Sequence, residues 1–519
     1  MNEPADVTRS GRRWTIYWLL IAIAAGQMTG RIMAVNSVNL NELQRYRIDS
    51  ELQKSRQKFI DEGFAGDVLE EKLTRRRGEL DRSLQLQRPF LSSNDRSRWL
   101  TIRALVEDGT YSIKKIVTDP EQHRRWNTID MVMHEQNGEP DLFSSKPTLL
   151  PTILAGEYWL IHQVTGWTLA DQTFEVVRLM LITINVVPLI LLFVCVGAIT
   201  DRLAISDWGG IFVMAVATFG TLMTTFAIVL NNHLVAAVSA AIALYAAVRI
   251  WYDGDRAGWL FATAGFFAAF TAANELPAMA FFGLLGLSLL WKDPRTTLIW
   301  GVPAALIVVA GALGTNYIAH RTVIPPYAHR AKDKGYREGN WYNYTYKVGD
   351  KEVQSYWKRD ESSYARRSRV DRGEQSRALY AVHCLVGHHG ILSLTPVWLI
   401  SLLGVFMLSR NREGGRWVWL AWLIAAVTII CLAFYLMQEV ENRNYGGVTS
   451  GLRWMIWFAP LWLVAMIPAA DWIATSRARR IVALLLLAFS ALCASYPTWN
   501  PWSHPWIATW MNYMGWIEL

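Results

Sequence analysis

The sequence predicts an all-α polytopic membrane protein with about eleven transmembrane helices. Two long outer loops join them, the first with a helical insert and the second with a small β-hairpin. Three observations predict this class. Apolar segments of about 17–25 residues, the length that crosses a bilayer core, recur along the 519 residues. The chain is 52% hydrophobic and only 18% charged. It also contains 26 Trp, a residue that favours the membrane–water interface.

The predicted spans begin close to the N-terminus. The first runs from Trp14 to about Val35 and follows the basic stretch 9–13. It is longer than a signal-peptide core, so we predict a retained anchor helix. The other ten predicted spans are 175–198, 209–229, 233–250, 258–273, 276–291, 298–318, 393–409, 417–437, 452–470 and 481–497. Segment 149–167 is ambiguous, because it is long enough either to cross the membrane or to lie along its surface.

The basic residues of the short loops decide the orientation, because such loops stay in the cytoplasm. If 149–167 does not cross, all of these loops fall on the side of the N-terminus. They carry Arg202, Arg249, Arg256, Lys292, Arg295, Arg410, Arg412, Arg416, Arg477, Arg479 and Arg480. We therefore predict a cytoplasmic N-terminus and an interfacial segment at 149–167, with both large loops and the C-terminus outside.

This topology divides the chain into five regions. They are the N-terminal segment with the first helix (1–36), the first outer loop (37–148), the interfacial segment with the following spans (149–318), the second outer loop (319–392), and the last spans with a Trp-rich tail (393–519). In the first loop, leucines at helical spacing across 39–87 predict an amphipathic helical hairpin. In the second, residues of alternating polarity around Gly349 and Asp350 predict the β-hairpin.

Polar motifs concentrate where the predicted spans meet the outer side. Asp95, after Ser92-Ser93-Asn94, is the first candidate for a catalytic base in the first outer loop. It fits a helix N-cap equally well, because Asp is among the preferred residues at that position. Asp130 is a second acidic residue of the same loop. We rank it below Asp95, because its position also fits an ordinary loop or strand end.

Three cations lie near the same rim, namely Arg98 one turn after Asp95, Lys146 before Pro147, and Arg453 after a Gly-rich turn. Sugar transfer from a lipid phosphate needs fixed cations beside a base, because negative charge develops on the departing phosphate. The alternative for Lys146 and Arg453 is that they reach lipid headgroups from the ends of helices.

Further polar side chains complete the candidate pocket. We predict substrate contacts from Asn94, His233, Glu275, His388, His389 and Tyr445. A carboxylate at membrane level, such as Glu275, is a functional candidate, although an ion pair explains it equally well. His383 and His388 lack the i, i+4 spacing of a helical metal pair, so we predict no metal ligands and assign the histidines to hydrogen bonding or acceptor binding.

Five motifs follow one another along the chain: Asn-Asp-Arg-Ser-Arg at 94–98, Ser-Ser-Lys-Pro-Thr-Leu-Leu-Pro at 144–151, Asn-Asn-His at 231–233, Asn-Glu-Leu-Pro at 274–277, and Asn-Tyr-Gly-Gly-Val-Thr-Ser-Gly-Leu-Arg-Trp at 444–454. Their order resembles the GT-C glycosyltransferases, which include the protein O-mannosyltransferases and the lipid A aminoarabinose transferase. The last motif is similar to the GG-x-x-x-G-x-R entry of many bacterial members.

The resemblance implies a glycosyltransferase that moves a sugar from a polyprenyl-phosphate donor to an acceptor hydroxyl, with Asp95 as its general base. It also implies a bacterial inner membrane, with the site facing the periplasm. The chain departs from the family pattern in its 39–87 insert, at Thr148, where a second Pro is usual, and at Arg96, where some members carry Glu. These departures leave the acceptor and the metal dependence undecided, with a divalent cation as an optional cofactor.

Other classes of protein stay open at this point. A lipid or solute transporter or flippase predicts paired broken helices and polar residues at mid-membrane depth, and the sequence favours neither. A scaffold predicts that the 39–87 insert binds partners, and a glycan polymer ligase would share the site. The predicted partners are the bilayer, the lipid-linked donor and an unidentified acceptor. Nucleic acid is not among them, because the net charge of +8 comes largely from loop and juxtamembrane Arg and Lys.

Overall fold

The computed structural model describes residues 3–34, 39–84, 92–330, 335–358, 360–410, 418–497 and 500–519. Within these ranges the fold is all-α apart from two antiparallel β-hairpins. Eight helical segments of the described chain are long and apolar enough to cross a membrane: Ser10–Met33, Thr173–Leu203, Asp207–Phe226, Asn232–Asp253, Pro294–His320, Val418–Leu436, Arg453–Ala474 and Arg477–Ser495. The chain is therefore an integral membrane protein.

The helices are named here in chain order. The first seven are α1 (Glu3–Met33), α2 (Asn39–Asp61), α3 (Gly66–Ser83), α4 (Ser93–Arg103), α5 (Lys114–Thr118), α6 (Pro120–Trp126) and α7 (Leu149–Thr165). The next nine are α8 (Thr173–Leu181), α9 (Val187–Leu203), α10 (Asp207–Phe219), α11 (Met223–Phe226), α12 (Asn232–Val248), α13 (Gly258–Asn274), α14 (Met279–Lys292), α15 (Pro294–Thr296) and α16 (Val302–His320). The last nine are α17 (Glu361–Arg366), α18 (Arg369–Arg372), α19 (Arg377–Leu385), α20 (Ile391–Leu394), α21 (Trp398–Arg410), α22 (Val418–Leu436), α23 (Ala459–Ala474), α24 (Arg477–Ser495) and α25 (Trp506–Tyr513).

The eight long segments coincide with eight of the eleven predicted spans. The other three correspond to α13, to the apolar segment Leu276–Lys292 and to α21, which has 13 residues. A helix of 17 residues such as α13 is about 26 Å long, shorter than a hydrocarbon core of about 30 Å. The crossing of the membrane by these three helices stays a prediction.

Helix α12 lies at the centre of the bundle, where it packs against α9, α13 and α23. Close crossings elsewhere depend on glycine. A Cβ at Gly265 of α13 would overlap the backbone of Gly301, and a Cβ at Gly404 of α21 would overlap the backbone of Ala465. Small residues let the backbones of membrane helices approach closely, and van der Waals contact then stabilises the bundle.

The two ends of α12 differ in character. Just after its C-terminal end, Arg249 pairs with Asp255 at 2.8 Å. At the same end of the bundle, Arg13 in the N-terminal half of α1 pairs with Asp207, the first residue of α10, at 2.7 Å. The N-terminal end of α12 begins at Asn232, which contacts Glu275 at the end of α13. The basic loops therefore lie at one end of the bundle, and the polar motifs of the predicted site lie at the other.

The segment predicted to form a helical hairpin consists of α2 and α3. They run antiparallel, since Arg56 pairs with Glu70 at 3.3 Å and Arg77 pairs with Asp49 at 3.5 Å. Three leucines of the predicted periodic series, Leu69, Leu73 and Leu80, are buried. The predicted helix end at 85–87 lies outside the described residues.

The second outer loop contains the predicted β-hairpin, with β3 (Thr345–Val348) paired to β4 (Lys351–Gln354). The first outer loop contains a hairpin that the sequence interpretation missed, with β1 (Met131–Gln136) paired to β2 (Glu139–Ser144). Asn137 and Gly138, with φ of 55° and 84°, form its two-residue turn. Asn-Gly between two strands is a strong hairpin signal, because both turn residues need positive φ.

Candidate active site

The β1–β2 hairpin brings Asp130 and Lys146 together. Its register pairs Met131 with Ser144, and the Ser145 amide donates to the Asp130 carbonyl oxygen at 3.0 Å. Residues that flank the two strands are thereby held side by side, and Lys146 Nζ lies 2.9 Å from Asp130 Oδ1. Both side chains are 16% exposed, so a ligand can reach them. The ion pair uses Oδ1, which leaves Oδ2 for another partner.

Asp130 and Lys146 lie in the wall of a cavity of about 460 Å³, which we call the main cavity. Both outer loops, the Gly-rich turn before Arg453 and the C-terminal tail contribute to it. Its aromatic lining residues among those described are Tyr327, Tyr342, Trp357, Trp454 and Trp502. Its charged ones are Asp130, Lys146, Arg330, Asp371 and Arg453, so cations outnumber carboxylates by one. Asp371 accepts hydrogen bonds from Tyr356 and Ser368, both at 2.8 Å.

Arg98 supports the cavity wall from behind. Its guanidinium donates to the carbonyl oxygen of Asn94 at 2.9 Å and to the side-chain oxygens of Asn94 and Asn232. Asn94 itself lines the main cavity, whereas Arg98 is 4% exposed. Burial and the nearby cation Arg453 lower the pKa of Arg98 to about 10, which still keeps it charged at neutral pH. Arg98 therefore joins the first outer loop to the start of α12.

A chain of hydrogen bonds runs from Asn232 to Arg453 through Glu275 and His233. Asn232 Nδ2 donates to Glu275 Oε1 at 2.6 Å, and His233 Nδ1 contacts the same oxygen. His233 Nε2 lies 2.7 Å from Arg453 Nη1. An arginine has only donors, so Nε2 must accept and the proton of the neutral ring must sit on Nδ1, facing Glu275. Arg453 therefore fixes the tautomer of His233.

Arg453 also fixes the Gly-rich turn beside it. Its Nε donates to the Gly446 carbonyl oxygen at 2.7 Å, and its guanidinium lies 5.1 Å from the centre of the Trp502 ring. Gly446 and Gly447 have φ of 94° and 81°, a region that is costly for residues with a Cβ. Gly446 lets the backbone approach the cation, since a Cβ there would lie 3.0 Å from Arg453 Nε, and both glycines line the main cavity.

Asp95 does not reach the main cavity. It lies in the first turn of α4, whose N-cap is Ser92, with the Ser92 side chain accepting from the Asn94 amide at 3.1 Å. The Asp95 side chain is 0% exposed. Burial raises the pKa of Asp95 well above its usual value, against the opposing effects of Arg98 and Trp99. Burial therefore disfavours the ionised form of Asp95, and its side chain does not line the space in which a substrate would bind.

Three histidines of the second outer loop, His383, His388 and His389, form a separate cluster with Tyr445. His383 stacks on His388 with ring centres 3.8 Å apart, and His389 stacks on Tyr445 at 4.7 Å. Burial lowers the pKa of His388 to about 3 and that of His389 well below its usual value, so both rings are neutral. None of the four lines the main cavity, although Tyr445 adjoins Gly446, which does. The cluster packs behind the turn.

Six of the predicted site residues therefore meet at one end of the bundle, either in the cavity wall or directly behind it: Asn94, Arg98, Lys146, His233, Glu275 and Arg453. The sequence interpretation ranked Asp130 below Asp95 and did not name Arg330, Tyr342, Trp357 or Trp502 as site residues, whereas all five line the main cavity. The Asn137-Gly138 turn was the available signal for Asp130, because a hairpin across it sets residue 130 beside residue 146. We find no comparable signal for Trp502, since the tail pattern indicates only an interface.

The fold and the site define an integral membrane protein with a polar, cation-bearing cavity at one end of its helix bundle. Among the residues that the structure describes, no group of three or more His, Cys, Asp or Glu side chains is arranged to hold a metal ion. Comparisons with protein-family models, curated proteins and solved structures found no match to the chain.

Proposed function

We propose that the protein is a glycosyltransferase of the GT-C type, which transfers a sugar from a polyprenyl-phosphate donor to an acceptor hydroxyl. The observation that carries the proposal is the main cavity, where the Asp130–Lys146 pair, Arg453 and five aromatic rings face one space. Preorganised cations stabilise the charge that develops on a departing phosphate. Aromatic faces offer a sugar ring a flat, partly apolar surface.

The proposed reaction is a direct displacement. Asp130 Oδ2 takes the proton of the acceptor hydroxyl, whose oxygen forms a bond to the anomeric carbon of the donor. The bond from that carbon to the phosphate oxygen breaks, and the lipid phosphate leaves with the electron pair, which inverts the anomeric centre. Lys146 and Arg453 contact the phosphate. We assign the base to Asp130 rather than Asp95, because Asp130 is ion-paired and in contact with the cavity.

We also propose an orientation with eleven crossing helices, a cytoplasmic N-terminus, and the main cavity on the periplasmic side of a bacterial inner membrane. The support is the separation of charge along the bundle. Arg13, Arg249 and Arg256 lie at the end opposite the cavity, and positively charged loops favour the cytoplasm. A transporter fits this arrangement less well, because the polar residues lie at the ends of helices rather than at mid-membrane depth.

The test of this function is transfer by the purified protein in lipid vesicles, against a panel of radiolabelled polyprenyl-phosphate sugars. We expect transfer or slow hydrolysis of one donor class. A parallel arm with EDTA checks the optional divalent cation. Absence of both turnover and donor binding across the panel would contradict the proposal and favour transport or scaffolding.

The activity is expected to fall as the pH rises through about 8. Burial, with a smaller contribution from nearby Arg98 and Arg453, lowers the pKa of Lys146 to about 8, while Asp130 opposes the shift. Above that pH the free enzyme loses the Lys146 charge that would hold the donor phosphate. The measurement is the pH profile of kcat/KM for the donor, which reports groups of the free enzyme.

Lys146→Arg supplies the control for this profile. Arginine stays protonated throughout the range, so the loss of activity near pH 8 is expected to disappear in the variant. If the variant keeps the same alkaline loss, another group titrates there and the role of Lys146 is refuted.

A further inference from the structure

A second cavity of about 210 Å³ lies against the main cavity, and we call it the distal cavity. Segment 127–131 of the first outer loop forms one wall, and the β3–β4 hairpin with α17 forms the other. Ile129 lines both cavities. Tyr356 lines the distal cavity, and the next residue, Trp357, lines the main one. The two cavities are therefore neighbours on either side of Ile129, next to Asp130.

The lining of the distal cavity is aromatic and hydrogen-bonding rather than charged. Tyr344, Tyr346 and Tyr356 supply three rings. Arg366 is the one charged residue in the described lining, and its guanidinium already donates to Gln354 Oε1 at 3.0 Å and to Ser363 Oγ at 2.9 Å. The distal cavity therefore suits a neutral polar group and offers little to a phosphate or a carboxylate.

Two polar side chains at this cavity have no hydrogen-bond partner among the described residues, namely the amide of Asn127 and the hydroxyl of Tyr346. Tyr346 is 8% exposed as a whole residue, and Asn127 is intermediate in burial. Burial raises the pKa of Tyr346 to about 12, which keeps the hydroxyl protonated and able to donate. Neither group is held by a hydrogen bond to the described protein, so both are available to a ligand in the distal cavity.

We infer that the distal cavity binds a sugar ring of the acceptor, and that the acceptor is therefore a glycan or a glycolipid headgroup. This inference rests on the proposed function. A pyranose presents a C–H face to tyrosine rings and hydroxyl groups to Asn127 and Tyr346. The volume of the distal cavity is roughly seven times the volume that one water molecule occupies in the liquid, which is enough for one sugar ring. The reacting hydroxyl on the neighbouring ring then faces Asp130.

Two variants test the inference. Tyr346→Phe removes only the hydroxyl, and Asn127→Ala removes only the side-chain amide. The assay uses a radiolabelled donor and a panel of hexose and hexosamine disaccharides as acceptors. Each variant is expected to raise the ratio of acceptor KM to donor KM about tenfold, because the loss of one hydrogen bond lowers affinity by about that factor. Tyr513→Phe, at a residue 86% exposed in the tail, is the matched control and is expected to leave the ratio unchanged.

A second arm needs no turnover, since binding of the same disaccharides to the wild type and the variants is measured by saturation-transfer NMR. Weaker binding by the variants supports the sugar subsite even if no donor is consumed, in which case the proposed function alone fails. Normal turnover with unchanged ratios in both variants overturns the inference and leaves the proposed function intact. Transfer to a Ser/Thr-rich peptide, with none to any disaccharide, also overturns it.

Discussion

Substitution of Asp130 by Asn is expected to lower the rate of sugar transfer by about 10²- to 10⁴-fold, the usual contribution of a general base. Asparagine matches aspartate in size, and its Oδ1 can still accept a hydrogen bond from Lys146. It cannot take the proton of the acceptor hydroxyl. The loss is therefore expected in the chemical step, and single-turnover transfer with the donor already bound measures it.

Two further variants test whether this loss is specific to Asp130. Asp350→Asn, in the exposed turn between β3 and β4, is the matched control and is expected to retain transfer. Asp95→Asn replaces a fully buried group that does not line the main cavity, so we expect a change in thermal stability rather than in transfer. If Asp95→Asn abolishes transfer in a folded protein while Asp130→Asn does not, the base is Asp95 and our assignment is wrong.

Replacement of Arg453 by Lys is expected to lower kcat for transfer by about 10²- to 10³-fold, the range found for the loss of one preorganised donor to a developing anion. Arg453 makes three contacts at once, with the Gly446 carbonyl oxygen, His233 Nε2 and the Trp502 ring. A lysine ammonium is a single point and cannot reproduce this planar arrangement. Steady-state kinetics with the lipid-linked donor measure the effect, alongside the thermal midpoint of each variant.

The linkage through His233 gives a sharper form of the same test. Glu275→Gln removes the charge that faces the His233 proton. In the Arg453→Lys/Glu275→Gln double variant, the increase in activation free energy for transfer is expected to be smaller than the sum of the increases in the two single variants. The reason is that neighbouring groups of one network are coupled. Arg369→Lys, at an exposed arginine paired with Glu518, is the control. If the increases in activation free energy of the two single variants add exactly in the double variant, His233 and Glu275 do not act through Arg453.

Much of the architecture was predictable because membrane crossing leaves a strong local signal. A helix that spans the hydrocarbon must pair its own backbone N–H and C=O groups and must contain about 20 apolar residues, whatever its neighbours are. Eight of the eleven predicted spans accordingly coincide with long apolar helices. The α2–α3 hairpin and the β3–β4 hairpin were also predictable, because periodic leucines and the Gly349-Asp350 turn are local features.

The gathering of Arg98, Lys146, His233, Glu275 and Arg453 at one end of the bundle also followed from the sequence. Each lies close to the end of a predicted span or in the first outer loop, and the predicted topology assigns those positions to one side of the membrane. The sequence by itself therefore determined the class of protein and the level at which its polar residues meet.

Tertiary structure alone decided which carboxylate faces the cavity. Helix α4 docks through Trp99, Leu100 and Ile102, which are all in the core. Ser97 adds contacts to Ser144 and to the Asp130 carbonyl oxygen. Those contacts turn Asp95 inward, while the β1–β2 register places Asp130 against Lys146. The docking of α4 depends on contacts between residues 33 and 47 positions apart, and local sequence does not encode which way a side chain points after docking. The β1–β2 pairing is local, but only the docked structure shows that Asp130 lines the cavity while Asp95 does not.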